Sequence, residues 1–261
     1  MSTLSAQHQQ SARAELEVCV DSEQALSVCE KAGVERIELC AALALGGLTP
    51  SHGFMQRAAQ ANSHKMLSGS DGQAAQVYAM VRPRAGDFCF SKAEVDIMCV
   101  DIKAAGEAGL AGVVLGAATT AGALDQACLE RLCEAAGSMG KTLHRVIDML
   151  DDPLQAIDQA VALGFERILT SGGARQVGEG LVQLGQMQAY AGNRICIMAG
   201  AGLSPTLAGQ IRSQTGIGSF HSSCTRVSGE ESDYEAFGFA QGRGLVDEQL
   251  IREYQRILAI C

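Results

Sequence analysis

Not one of the ten cysteines in this chain has another cysteine three positions away, so the C-x-x-C pattern of zinc ribbons and thioredoxin-type redox sites is absent. At ten in 261 residues, cysteine falls well short of the roughly 8–10% that marks a disulfide scaffold. Most of them, Cys29, Cys99, Cys128, Cys133 and Cys196 among them, lie inside apolar runs, which makes them reduced core residues of a cytoplasmic protein. No block of Lys or Arg interrupts a formal net charge of -9, so a nucleic-acid surface is excluded. No run approaches the roughly 18 apolar residues of a membrane span, and Met1 to Ala14 lacks the apolar stretch of a signal peptide. A Ser nucleophile elbow, a Walker loop and H-E-x-x-H are missing too, and no nucleotide cofactor is expected.

What is present is a globular composition, 47% hydrophobic and 19% charged, long enough to bury a full core. Short β-branched runs alternate with helical patterns from end to end, the signature of βα units on a parallel sheet. Eight runs qualify: Glu15 to Val20, Arg36 to Cys40, Val77 to Arg82, Gly112 to Gly116, Thr142 to Ile147, Arg167 to Ser171, Arg194 to Ala199 and Ser219 to Ser223. Ser22, Ser91 with Glu94, Pro153 and Ser204-Pro205 punctuate helix starts, while Gly33, Gly109 and Gly164 mark helix ends. Eight units in this length predict an α/β fold, a single-domain (β/α)8 TIM barrel over 15–261 behind a disordered tail over 1–14. A doubly wound sheet would place G-x-G-x-x-G after the first strand, where Val20-Asp21-Ser22 stands instead. Asn62 to Gln76 and Thr225 to Gly244 read as loops.

Barrel sites lie at the C-terminal strand ends, and the polar residues there are numerous. The first two strands end on Glu17-Val18-Cys19 and Glu38-Leu39-Cys40, and strand alternation puts each Glu and Cys on one face. Buried acids need partners, for which Arg82, Arg84 and Arg145 are the candidates, and an interior ion-pair network is the purely structural explanation. Cys19 and Cys40 are soft donors suited to Cu(I) or, as a free Cys more often is, small buried hydrophobes. The Gly-rich ends Thr170-Ser171-Gly172 and Gly200-Ala201-Gly202 could cradle an anion, or merely turn the chain. His144 beside Arg145 and Asp148 is either an acid or base with an orienting carboxylate or a core histidine. His221 and Ser222 end the eighth strand.

The segments Leu16-Glu17-Val18-Cys19, Arg36-Ile37-Glu38-Leu39-Cys40, Gly46-Gly47-Leu48-Thr49-Pro50-Ser51 and Arg82-Pro83-Arg84-Ala85-Gly86-Asp87-Phe88 together resemble the copper homeostasis protein family CutC. So do Leu143 to Met149, Leu169-Thr170-Ser171-Gly172, Ile197 to Gly202 and His221-Ser222-Ser223, and the likeness spans about 15–260. Ala85 and Val146-Ile147 depart from the family pattern without removing a polar group. The resemblance implies a cytosolic TIM barrel, commonly a homo-oligomer, that binds Cu(I), here through Cys19 and Cys40. The alternative is an isomerase or lyase acting on a small anionic metabolite, phosphorylated metabolites included. In that case Glu38, His144 and Asp148 would be the catalytic residues. The anion would be held by Arg82, Arg84, Thr170, Ser171, Gly172, Gly200, Gly202, His221 and Ser222.

Overall fold

A computed structural model describes residues 14–67, 75–226 and 244–260. Eight parallel strands close into a barrel in sequence order, with the eighth pairing back onto the first. They are β1 (Glu15–Val20), β2 (Arg36–Leu39), β3 (Gln76–Met80), β4 (Gly112–Leu115), β5 (Gly140–Leu143), β6 (Arg167–Thr170), β7 (Cys196–Gly200) and β8 (Ser219–Ser222). Between and after them run α1 (Glu23–Ala32), α2 (His52–Leu67), α3 (Lys92–Glu107), α4 (Gln126–Ala136), α5 (Pro153–Ala162), α6 (Leu181–Ala191), α7 (Pro205–Thr215) and α8 (Glu248–Ile260). The expected fold is therefore present, and the tail expected over 1–14 lies, except for Ala14, outside the described residues.

The helix starts follow from side-chain chemistry. Ser22, Ser91 and Ser204 each accept a backbone N–H of the first turn, and Glu94 completes a capping box by accepting from the Ser91 N–H. One strand face, including Val18, Ile37, Ala79, Leu115 and Ile197, packs against the helices in a single core. The other face points into the barrel and carries the polar residues.

Three local expectations are corrected. The fifth run ends as a strand at Leu143, because His144 Nδ1 accepts the Val146 N–H and starts a 3-10 turn over Arg145–Met149. Val146 and Ile147 are buried as loop residues, so their apolar character did not distinguish strand from turn. The first part of the stretch read as a loop from Asn62 continues α2 to Leu67, and 68–74 lie outside the described residues. Beyond Thr225 a short antiparallel pair, β9 (Thr225–Arg226) with β10 (Leu245–Val246), brackets 227–243, also outside the description.

Tyr78 fills the barrel interior only because β4 and β5 both begin on glycine. A Cβ on Gly112 would overlap the Tyr78 ring, and one on Gly140 its hydroxyl. Gly112→Ala is expected to destabilise the fold by about 1–3 kcal/mol through overpacking, read as a lower urea midpoint with an unchanged slope.

Candidate functional site at the barrel mouth

The lower part of the interior is an ion-pair lattice. Register places Glu17 opposite Arg36 on one side and His221 on the other. Glu17 Oε2 accepts from Arg36 Nε at 2.6 Å, and Oε1 lies 2.9 Å from His221 Nδ1. Arg36 also donates to Thr142 at 3.0 Å, and its guanidinium stacks 3.7 Å over Tyr78. Burial would raise the Glu17 carboxyl, but His221 and Arg36 outweigh it and hold the group at about 2. The expected partners of this acid sit elsewhere. Arg84 pairs with Asp87 and Glu94, and Arg145 with Asp148. Arg82 donates to the carbonyls of Leu45, Gly47 and Gly86. Arg36 begins its strand, away from the C-terminal ends where barrel sites lie, and its meeting with Glu17 is set by ladder register, for which the sequence carries no local signal.

Above the lattice, three donors converge. Cys19 lies level with Glu38 across the β1–β2 ladder, and His221 comes in from β8. One ligand atom from each lies within 4.8 Å of the others. His221 Nε2 is 3.7 Å from Glu38 Oε2, while Glu38 Oε1 is buried without a partner among the described residues. Burial, aided by the Glu17 charge, pushes the Glu38 carboxyl up to about 7 against the pull of His221. Burial alone would lower His221, but Cys19, Glu17 and Glu38 together hold it well above the usual imidazole value. Cys40 stands two residues beyond Glu38 on the same strand face, outside the converging three. Its thiol contacts Glu38, and burial together with that charge pushes it well up.

The trio forms part of the lining of a cavity of about 600 Å³ at the C-terminal end of the strands. Arg82, Phe88, His144, Arg145 and Asp148 line it as well. His144 is 3% exposed, and because Nδ1 accepts the Val146 N–H, its proton sits on Nε2. Burial, reinforced by the Arg82 charge, drives this imidazole down to about 3, so it is neutral. Met80, Phe88 and Leu43 were not singled out from the sequence; nothing in a lone apolar residue distinguishes cavity wall from core.

The Gly-rich loop after β6, for which the sequence leaves an anion cradle and a plain turn open, is filled by an acid of the chain itself. Asp148 occupies it, accepting the Ser171 and Gly173 N–H groups and the hydroxyls of Thr170 and Ser171. Gly172 N–H turns back to Thr170. Gly200 gives room to Leu169 and His221, Gly202 packs against Gln176, and Ser222 accepts the Cys224 N–H. These residues shape the rim, and His221 with Arg82 are the ones of that expected set that reach the cavity. Asp148→Asn should cost about 1–3 kcal/mol, since an amide cannot accept all of these donors and strands some of them. Chemical unfolding would read the loss.

A closed eight-stranded parallel barrel ringed by helices, with a polar, cysteine-bearing mouth at its C-terminal strand ends, is a (β/α)8 TIM barrel. The profile of the CutC family matches residues 14–226. A CutC family protein from Agrobacterium fabrum is 45% identical over 247 residues, covering 94% of each chain. A solved Streptococcus agalactiae structure, described as a candidate copper homeostasis protein CutC, is 33% identical with a TM-score of 0.74, covering 80% of this chain and 98% of that one. Phosphoribosyl anthranilate isomerase from Thermococcus kodakaraensis, at 13% identity, a TM-score of 0.53 and 95% and 100% coverage, shares the fold alone. This chain belongs to the CutC family.

Proposed function

We propose that this protein serves copper homeostasis in the cytoplasm by holding Cu(I) at the barrel mouth. The observation that carries this reading is the convergence of Cys19, Glu38 and His221 within 4.8 Å. A sulfur and an imidazole nitrogen are donors that suit Cu(I), whereas the Glu38 oxygen is hard and contributes less. Cys40, in contact with Glu38 one level above but outside the converging three, would add a second sulfur by swinging toward them. Glu17 at 2.9 Å from His221 Nδ1 orients the ring so that Nε2 faces the other donors, as an outer carboxylate does at metal-bound histidines. The unpartnered Glu38 Oε1 fits a place where a cation is received.

The test is an anaerobic Cu(I) titration against a competing chelator, repeated with Zn(II). Cys19→Ser is expected to weaken Cu(I) binding by roughly 100-fold, His221→Gln and Cys40→Ser by roughly 10-fold each, on the scale of lost ligands and their neighbours. Unchanged affinity in Cys19→Ser would discard the site, and tight Zn(II) binding without Cu(I) binding would discard copper.

A further inference from the structure

We propose that the barrel mouth also binds a small organic oxyanion, a carboxylate or phosphate ester with a short carbon body, between Arg82 and His144. The argument begins with Arg82, which is 6% exposed yet has no carboxylate partner among the described residues. Its guanidinium Nη atoms meet backbone carbonyls, and its Nε–H has no acceptor there. A buried cation whose charge is balanced by no anion calls for one. The other arginines near the mouth lack this property: Arg84 and Arg145 already hold acids of the protein, and Arg175, which also lines the cavity, is exposed to solvent.

His144 supplies the second group. Its tautomer is fixed by the Val146 N–H, so the buried Nε2 is a donor, and it too has no acceptor among the described residues. Phe88 binds the two together, with the Arg82 guanidinium 4.9 Å from its ring centre and the His144 ring 4.8 Å away. Both side chains line the same cavity. Two unsatisfied N–H donors beside one uncompensated positive charge select an oxygen acceptor carrying negative charge. Leu45, Met80 and Leu169, which line the same cavity, suit the carbon body, and about 600 Å³ is the size of a metabolite pocket. Neither Arg82 nor His144 belongs to the converging metal donors, so this site stands or falls separately from the copper reading.

The experiment uses the full chain freed of metal by chelation, with inorganic phosphate and pyruvate as probes and chloride at matched ionic strength as the control. The expected result is a saturable rise in melting temperature with at least one probe, because the anion binds only the folded state. The His144 Nε2 resonance of ¹⁵N-labelled protein should shift in step. Arg82→Lys and His144→Asn should each weaken that binding at least about tenfold, the loss of one hydrogen bond to a charged group. Response to phosphate alone or to pyruvate alone names the ligand class. If neither probe exceeds chloride in melting temperature and in the His144 resonance, or if both variants bind as the parent does, the site is refuted. Should Arg82→Lys fold poorly, His144→Asn and the resonance decide the matter.

Discussion

Glu17→Gln is expected to lower the stability of this barrel by about 3–5 kcal/mol, because it leaves charged neighbours buried without their counter-ion. Glu17 is fully buried, and so is Arg36 at 2.6 Å, with 1% of its side chain exposed. Arg36 keeps a distant second acid, Glu166 at 3.5 Å, on a side chain that is 44% exposed and screened by solvent. His221 loses the carboxylate at its Nδ1 in the same step. For a chain of this length the melting temperature should fall by roughly 8–15 °C. Glutamine preserves the shape, so a loss of this size would come from charge and not from a cavity. The same variant separates support from ligation. If Glu17 orients His221 for a metal, Cu(I) affinity falls about 10–100-fold even though Glu17 is not a ligand. A stable Glu17→Gln protein would show that the lattice is not needed to hold the fold.

That lattice also marks the limit of what could be read from the chain. The barrel itself was legible: alternating apolar runs, capping serines and glycine helix ends located eight βα units, and Glu15–Val20 matches its run at both ends. Parity along a strand is fixed by backbone geometry, and Glu17, Cys19, Glu38 and His221 all face the barrel interior; Cys19, Glu38 and His221 line the mouth cavity, whereas Glu17 lies below them in the lattice. Pairing across strands is another matter. Which arginine meets Glu17 depends on ladder register, and register set Arg36 opposite it while Arg84 and Arg145 turned to acids close by in sequence, Glu94 and Asp148. The thiols show the same limit. Cys19 and Cys40 occupy matching positions in two similar motifs, yet the shear of the barrel pairs Cys19 with Glu38 and lifts Cys40 two residues higher. For the Gly-rich loop after β6 the sequence leaves open an anion cradle or a plain turn, and the acid seated there is the chain's own Asp148, twenty-odd residues away in sequence and close in space. Local signals carried conformation, and partner identity came from long-range packing.

Acid should expose the buried neutral state of His144 as a measurable slope in stability. The folded chain holds this imidazole down to about 3 by burial and by the Arg82 charge, whereas the unfolded chain protonates it near pH 6.5. Below about pH 6.5 the unfolded state therefore takes up a proton that the folded state refuses. Stability from this residue is complete above that pH and is lost as pH falls toward 3. The limiting slope is about 1.4 kcal/mol per pH unit, so roughly 2–3 kcal/mol should disappear between pH 6 and pH 4. Glu17, held at about 2, adds its own loss in acid, starting near pH 4.5. The comparison that isolates His144 is with His144→Asn, whose side-chain oxygen can still accept the Val146 N–H at the start of the 3-10 turn but does not titrate. Denaturant unfolding at pH 7, 6, 5 and 4 should give curves that lie close together at neutral pH. They should diverge in acid, with the variant losing less. Parallel curves would mean that His144 is protonated in the folded protein or reaches water there, and the neutral Nε2 donor argued for the barrel mouth would go with it.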